Sequence, residues 1–368
     1  MLQLHVLGTS SARFAHGRSV SGSVIDTPGG LALIDCGEGM QQRILNHNRT
    51  LKASGANRRT RLARVRCILL THGHLDHSWG VLPLLQTLSL DGRRDPLTII
   101  GPSSQAAIDW VTQHPGEVPP KDSGISSSDL AILFMQWQLL GSRDEELNYP
   151  IDWVLIPIED ESPISAPVQP LEGVNITVVP THHGVPSCGY HIATLDRGGR
   201  FDRERVKSLG LTPTQVSALA AGEDIEVGDS VLHASEFRGT PRPGRSIMVS
   251  GDTAFGPIGF TREMLPSAPD LLLHEATFLS DKQDKATEYL HSTAADAGRH
   301  ATSCHAGALA LTHYSSRLER LSPSVSEARE HFSGPVIATC DGDRFEIDLD
   351  GKITHHHRLE DGWNSVSL

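Results

Sequence analysis

Within six residues the chain carries four side chains of the kinds that bind metal ions: His72-Gly-His74-Leu-Asp76-His77. They follow the apolar run Val65–Leu70, which reads as a strand delivering the chain into a loop. Residues two apart on an extended segment point the same way, so His72 and His74 can grip one ion. Asp76 and His77 lie past the bend and can face a second. Imidazole together with carboxylate suits zinc, or manganese, with positions left open for water. A histidine cluster beside the core serves no packing purpose, so these residues point to a metal-dependent hydrolase.

Four side chains are too few for two ions, and the rest of the chain must supply a bridging carboxylate and more histidines. Candidates stand where apolar runs end: His182 and His183, Asp252 in Ser250-Gly-Asp-Thr253, and His313 in Leu311-Thr-His-Tyr314. Two other segments look catalytic, His274-Glu275-Ala-Thr277 and His291-Ser-Thr293. A glutamate close to a histidine keeps the imidazole protonated and makes it a general acid. The structural alternatives are an ordinary salt bridge for Glu275 and a helix N-cap neighbour for His291.

Elements must hold these residues at one place. Strands are expected at Leu2–Leu7, at Ser23–Thr27 and Leu31–Asp35 as a hairpin, at Val65–Leu70, and at Leu97–Ile100, stopped by Gly101-Pro102. Helices are expected over Met40–Asn48, Leu82–Leu90, Ser104–Thr112 and Asp129–Leu140. Later strands are Trp153–Pro157, Val174–Val179, Gly189–Thr194, Ser246–Ser250, Leu271–His274, Ala308–Thr312 and Val336–Thr339, with a helix over Ala294–Ala301 behind a Ser292/Thr293 cap. Strands mixed with helices throughout indicate a layered α/β architecture. A strand-rich, site-bearing half occurs twice, with a joint near Pro150–Gly173, as two βα halves packed sheet to sheet would require. The expectation is one domain over 1–368, with an arm inserted at 196–245 and a C-terminal tail at 352–368 that includes His355-His-His357.

Composition narrows the class. Of 368 residues, 38% are hydrophobic and 21% charged, as in a globular enzyme, and no apolar run reaches the roughly 20 residues of a membrane span. The N-terminus lacks the pattern of a secretion signal and reads as a first strand, so a cytoplasmic protein is expected. Cys36, Cys67, Cys188, Cys304 and Cys340 are odd in number and without CxxC spacing, which suits free thiols in a reducing compartment. Twenty histidines are unusual. The net charge of −12 opposes indiscriminate nucleic-acid binding. Yet Asn48–Arg66 holds seven basic residues and no acidic one, which reads equally as a solvated loop or an RNA contact.

Taken together, these segments resemble ribonuclease Z, the tRNA 3′-processing endonuclease of the metallo-β-lactamase superfamily. The resemblance runs through Leu7-Gly-Thr9, Leu33-Ile-Asp-Cys-Gly-Glu-Gly39, Leu70-Thr-His-Gly-His-Leu-Asp-His77, Leu97-Thr-Ile-Ile-Gly-Pro102 and Tyr149-Pro150. It continues through His183-Gly-Val-Pro-Ser-Cys-Gly-Tyr190, Ser250-Gly-Asp-Thr253, His274-Glu-Ala-Thr-Phe278, His291-Ser-Thr293 and Leu311-Thr-His313. It implies an αββα sandwich, a homodimer, and two divalent ions, zinc or manganese. It further implies that His72, His74 and His183 hold one ion, that Asp76, His77 and His313 hold the other, and that Asp252 bridges them. Asp35 would brace a ligand loop. Asp76 would accept the proton of the attacking water, and Glu275 with His291 would form a proton relay.

The chain departs from the family pattern in the arm. Ser208–Phe237 has no Lys or Arg and five acidic residues, Glu223, Asp224, Glu226, Asp229 and Glu236, where relatives carry a Gly-Pro turn and a basic tip. Phosphates repel such a tip. Arg58, Arg59 and Arg61 are then the candidate RNA contacts. The N-terminal loop also differs, with Phe14-Ala-His-Gly-Arg18 keeping only the Arg of the usual motif. The leading expectation is removal of the 3′ trailer from precursor tRNA. The alternative, favoured by the acidic arm, is a phosphodiesterase of the same fold acting on a small or cyclic nucleotide or another RNA. A silent RNA-binding paralogue is opposed by the intact ligand set.

Overall fold

Short apolar strands and amphipathic helices alternate along the chain much as their sequence patterns predict. The computed structural model describes residues 1–143, 146–228, 230–359 and 362–368. The first half contributes β1 (Leu2–Gly8), β2 (Gly22–Thr27), β3 (Gly30–Ile34), α1 (Met40–Ala53), β4 (Val65–Leu69), the one-turn α2 (Leu75–Ser78), α3 (Val81–Leu90), β5 (Leu97–Ser103), α4 (Gln105–Gln113), α5 (Leu130–Leu139) and β6 (Ile151–Pro157). Then come β7 (Ile164–Ser165), β8 (Val174–Pro180) and β9 (Cys188–Thr194), followed by α6 (Arg203–Ser208), α7 (Pro213–Ala221), β10 (Ile225–Val227) and β11 (Ser230–Leu232). The rest is β12 (Ser246–Val249), β13 (Leu271–Glu275), α8 (Gln283–Tyr289), α9 (Ala294–Ser303), β14 (Ala308–Thr312), α10 (Ser322–Arg329), β15 (Val336–Ala338), β16 (Arg344–Ile347), β17 (Ile353–Leu359) and β18 (Gly362–Ser367).

The chain divides into two compact units, Met1–Ala193 with Arg245–Leu368, and Thr194–Gly244. In the larger unit one sheet has the order β18-β17-β16-β1-β2-β3-β4-β5-β6 and the other β15-β14-β13-β12-β9-β8-β7. Between the sheets, Leu4, Val6, Ile25 and Phe345 meet Val178, Tyr190, Ile192 and Leu273 in one apolar layer. Outside the first sheet, Val24, Leu33, Ile68 and Ile99 pack on Ile44 of α1, Leu84 of α3 and Phe134 of α5. Outside the second, Met248, Leu272 and Leu309 pack on Ala297 and Ala301 of α9 and Ala328 of α10. Three apolar layers separate four structural layers, the αββα sandwich. The parallel strands β3, β4 and β5 are apolar on both faces because both faces are covered.

Two expectations are corrected. Gly101-Pro102 does not stop β5, which pairs with β6 as far as Ser103. Its pairing with β4 ends at Ile100, so the proline's missing N–H falls where no ladder bond is needed. The C-terminal residues are not a tail: β16, β17 and β18 extend the first sheet, with His355-His-His357 inside β17. Glu360 and Asp361 of that segment lie outside the described residues.

The smaller unit has its own core of Val206, Leu219, Ala234 and Phe237. Leu211-Thr-Pro-Thr214 starts a helix: Thr212 and Gln215 form a capping box with Pro213 in the first turn, and Gly222 closes α7 in a left-handed conformation. Two of the acidic residues are paired, Asp224 with His233 and Glu236 with Arg205. Asp229 lies outside the described residues.

Candidate metal centre

The loop between β4 and α2 carries His72 and His74, and α2 carries Asp76 and His77, into one cluster. His74 Nδ1 lies 3.1 Å from His72 Nε2 and 3.2 Å from His183 Nε2. The second group is Asp76, His77 and His313: His77 Nε2 is 3.2 Å from His313 Nε2, and Asp76 Oδ2 is 3.6 and 3.5 Å from those two nitrogens. Asp252 stands between the groups. Its Oδ2 is 3.8 Å from His72 and 3.3 Å from His77, and its Oδ1 is 3.4 Å from His313. Nitrogens bonded at about 2.0–2.1 Å to one tetrahedral ion stand about 3.3 Å apart, so the spacing of these donors fits metal ions. All seven expected ligands are brought together, and the second position of the His182-His183 pair is the one that enters the cluster. His182 is turned outward to Glu161 at 3.0 Å.

Electrostatics prepares the donors. Burial pushes His72 well below its ordinary pKa, and burial with neighbouring imidazoles also lowers His74 and His183, so these rings are neutral with lone pairs available. Burial would lower His77 as well, but Asp252, Asp35 and Asp76 outweigh it and raise the pKa well above the ordinary value. Burial opposes ionisation of Asp252 and Asp76, yet the facing His313 and His77 hold both below the usual carboxylate range. Such a charge pattern describes protons standing where cations would.

The other ring nitrogens are tied from behind. Asp35 follows β3 with a left-handed φ of 57°. Its Oδ2 accepts from His77 Nδ1 at 2.7 Å, and its Oδ1 accepts from the Thr71 backbone N–H at 2.8 Å. His183 Nδ1 donates to the carbonyl of Leu290 at 3.0 Å. His313 Nδ1 donates to the Thr277 hydroxyl at 3.0 Å, which donates in turn to Glu275 Oε2 at 2.5 Å. Each bond selects the tautomer that leaves Nε2 pointing into the centre.

Glu275 is buried at the end of β13. Its Oε1 accepts from the Thr253 backbone N–H at 2.7 Å and from His291 Nδ1 at 2.9 Å. Burial opposes the charge on Glu275, but His291 holds its pKa down. Burial likewise opposes protonation of His291, but Glu275, then Asp252, raises its pKa to about 9. Parallel strands β12, β13 and β14 all end on one side, which carries Asp252, Glu275 and His313 to a common edge. A cleft of about 300 Å³ opens over the centre, lined by Ala12, Phe278, Tyr289, His291 and Arg317 among others.

Sequence reading missed several contributors. The Ala12 backbone N–H donates to Asp76 Oδ2 at 2.8 Å, from a residue with φ 60°. Leu290, also left-handed, supplies a carbonyl, and nothing in their residue types announces either role. Thr277 was visible as the last residue of His-Glu-Ala-Thr. Of the expected RNA contacts, Arg58 is committed elsewhere: it and Arg64 both pair with the fully buried Asp26, and Arg58 also reaches the carbonyl of Thr27 at 2.8 Å. Arg59 is half-buried and Arg61 exposed.

A four-layer αββα fold with this donor cluster at the strand ends defines a metal-binding hydrolase of the metallo-β-lactamase superfamily, whose family description matches residues 17–193. The chain is 30% identical to the ribonuclease Z of Myxococcus xanthus over 355 residues, covering 95% of this chain and 99% of the relative. It is 32% identical to that of Methanosarcina acetivorans, covering 92% and 96%. Among solved structures it is similar to the short form of human tRNase Z, with a TM-score of 0.56 and 22% identity over 94% of this chain and 100% of that one. The chain belongs to the ribonuclease Z family.

Proposed function

We propose that the chain removes the 3′ trailer from precursor tRNA by hydrolysing one phosphodiester bond. The observation that carries this reading is the Glu275–His291 pair standing beside the donor cluster, 2.9 Å apart, with His291 also 3.8 Å from Asp252. His72, His74 and His183 would hold one divalent ion and Asp76, His77 and His313 the other, with Asp252 shared; zinc suits the donors best and manganese is the second choice. Bound cations supply activation of water and neutralisation of the phosphodiester's charge. Asp76 accepts the proton of the attacking water, its Oδ2 held by the Ala12 N–H. As the P–O3′ bond breaks, His291, kept protonated by Glu275, donates its proton to the departing 3′-oxygen. The products are a tRNA with a 3′-hydroxyl and a trailer with a 5′-phosphate.

The family resemblance supports a homodimer, and the free cysteines support a reducing, cytoplasmic setting. No helix among the described residues is long and apolar enough to cross a membrane. We further propose that residues 194–244, an independently packed unit, are the arm inserted into a single catalytic domain. With Arg58 tied to Asp26, Arg59 and Arg61 are left as the RNA contacts of that basic segment.

The test is cleavage of a 5′-labelled precursor tRNA with and without chelator, beside an Asp76→Ala control. One chelator-sensitive cut near the discriminator base is expected. No cut, from protein that still hydrolyses bis-p-nitrophenyl phosphate, would overturn tRNA as the substrate.

A further inference from the structure

His355, His356 and His357 on β17 have no part in the proposed reaction. Strand register sorts them. Phe345 stands opposite His355 and Arg344 opposite His356 across β16, while Trp363 stands opposite Arg358 across β18. Cross-strand partners share a face and neighbours along a strand alternate. His355 and His357 therefore share the face of Phe345, and His356, Arg344 and Arg358 occupy the other. On the shared face two imidazoles converge on one carboxylate. His355 Nε2 lies 3.0 Å from Asp343 Oδ2, and His357 Nδ1 lies 2.9 Å from Asp343 Oδ1. The Asp343 side chain is fully buried, and the His355 ring is stacked on Phe345 with centroids 4.7 Å apart and planes within 18°. The His357 side chain is 39% exposed, which opens the group to solvent.

We propose that Asp343, His355 and His357 form a second metal site, separate from the catalytic centre, that takes one cation of the zinc class. Two histidines flanking one residue on a strand offer two nitrogens on one face. With a carboxylate they make a three-donor set that zinc accepts, water filling the fourth position. Each imidazole would bind the ion through the nitrogen that now faces Asp343, Nε2 of His355 and Nδ1 of His357, and carry its proton on the other ring nitrogen. The carboxylate keeps its backbone donors, the N–H of Cys340 at 3.0 Å and of Arg358 at 3.2 Å, which hold it in orientation. The side chains of Arg344 and Arg358 belong to the opposite face of the sheet, so neither guanidinium competes for the site. The bonds already linking the three side chains assemble the site before any ion arrives.

The test is zinc content of the full chain after dialysis against a zinc buffer, measured by elemental mass spectrometry. Wild type is compared with His357→Gln and with the His355→Gln/His357→Gln double variant. Wild type is expected to hold one equivalent more than either variant, with hydrolysis of bis-p-nitrophenyl phosphate unchanged. The double variant strips the buried Asp343 of two donors and is at risk of misfolding. His357→Gln, whose amide can still donate to Asp343, decides the matter by itself. Equal zinc in wild type and His357→Gln overturns the proposal. Zinc lost together with hydrolysis also overturns it, because the missing ion would then be catalytic.

Discussion

His291 Nδ1 donates to Glu275 Oε1 across 2.9 Å, while the Thr277 hydroxyl binds Oε2 of the same carboxylate at 2.5 Å. One buried glutamate thereby holds His291, the proposed proton donor, through one oxygen and, through Thr277, His313 of the donor cluster through the other. The shared anchor ties the position of His291 to that of the donor cluster.

A general acid matters only to a leaving group that needs a proton. His291→Asn should slow cleavage of precursor tRNA by about 10²–10⁴-fold. Bis-p-nitrophenyl phosphate, whose leaving group departs as a stable anion, should lose far less. Single-turnover rates on both substrates check this, and an equal loss on both would assign His291 to the metal centre instead.

Asp35→Asn keeps a residue type that tolerates the left-handed φ of 57° but removes the charge behind His77. Metal affinity should fall about 10–100-fold. Competition with a fluorescent zinc chelator measures it. An unchanged thermal midpoint would show that the fold itself is intact.

Gly37 leaves no room for a side chain. A Cβ placed there would stand 2.1 Å from the Asp76 carbonyl oxygen and 2.7 Å from that of Ser21. Gly37→Ala must therefore displace the backbone that carries Asp76. Loss of hydrolysis should exceed loss of stability, which comparing activity with the urea midpoint at saturating zinc would reveal.

Between β1 and α1, His5 Nδ1 and His47 Nε2 are 2.9 Å apart, both rings buried. Burial, then Arg358 and Arg344, drives His47 down to about 3, and burial with His47 lowers His5. The unfolded chain protonates these rings first, so the stability they contribute is present above about pH 6.5 and is lost as pH falls through the window toward 3. At pH 5 the loss from His47 is on the order of 2 kcal/mol. Urea unfolding at pH 7.5 and pH 5 should show a drop in stability that His47→Gln makes smaller; equal drops would refute the assignment.

Much of the site was legible in the residues. Metal chemistry demands particular donors, and His72-Gly-His74-Leu-Asp76-His77 places four candidates within six residues, so residue type and spacing sufficed to locate the cluster. Asp252, Glu275 and His313 were legible as polar residues ending apolar runs, because a strand end is where a sheet presents its functional side chains. The periodicity of apolar residues likewise determined most helices and strands of the sandwich.

Other features depend on what lies opposite, which no local pattern encodes. Which of His182 and His183 enters the centre followed, on sequence, only from the resemblance; packing shows it, turning one ring to Glu161 and the other to the Leu290 carbonyl. The Arg58 charge looked available until tertiary structure paired it with a buried aspartate 32 residues away. The backbone N–H of Ala12 reaches Asp76 only because its loop closes over the centre. The C-terminal strands were missed because their alternation is weak, and pairing with β1 through β16 supplies what their own composition lacks. Sequence by itself determined which chemical groups the protein owns and the elements that carry them. Tertiary structure alone decided which groups are paired, neutralised or left facing the cleft, because those outcomes depend on neighbours distant in the chain and on the water that packing excludes.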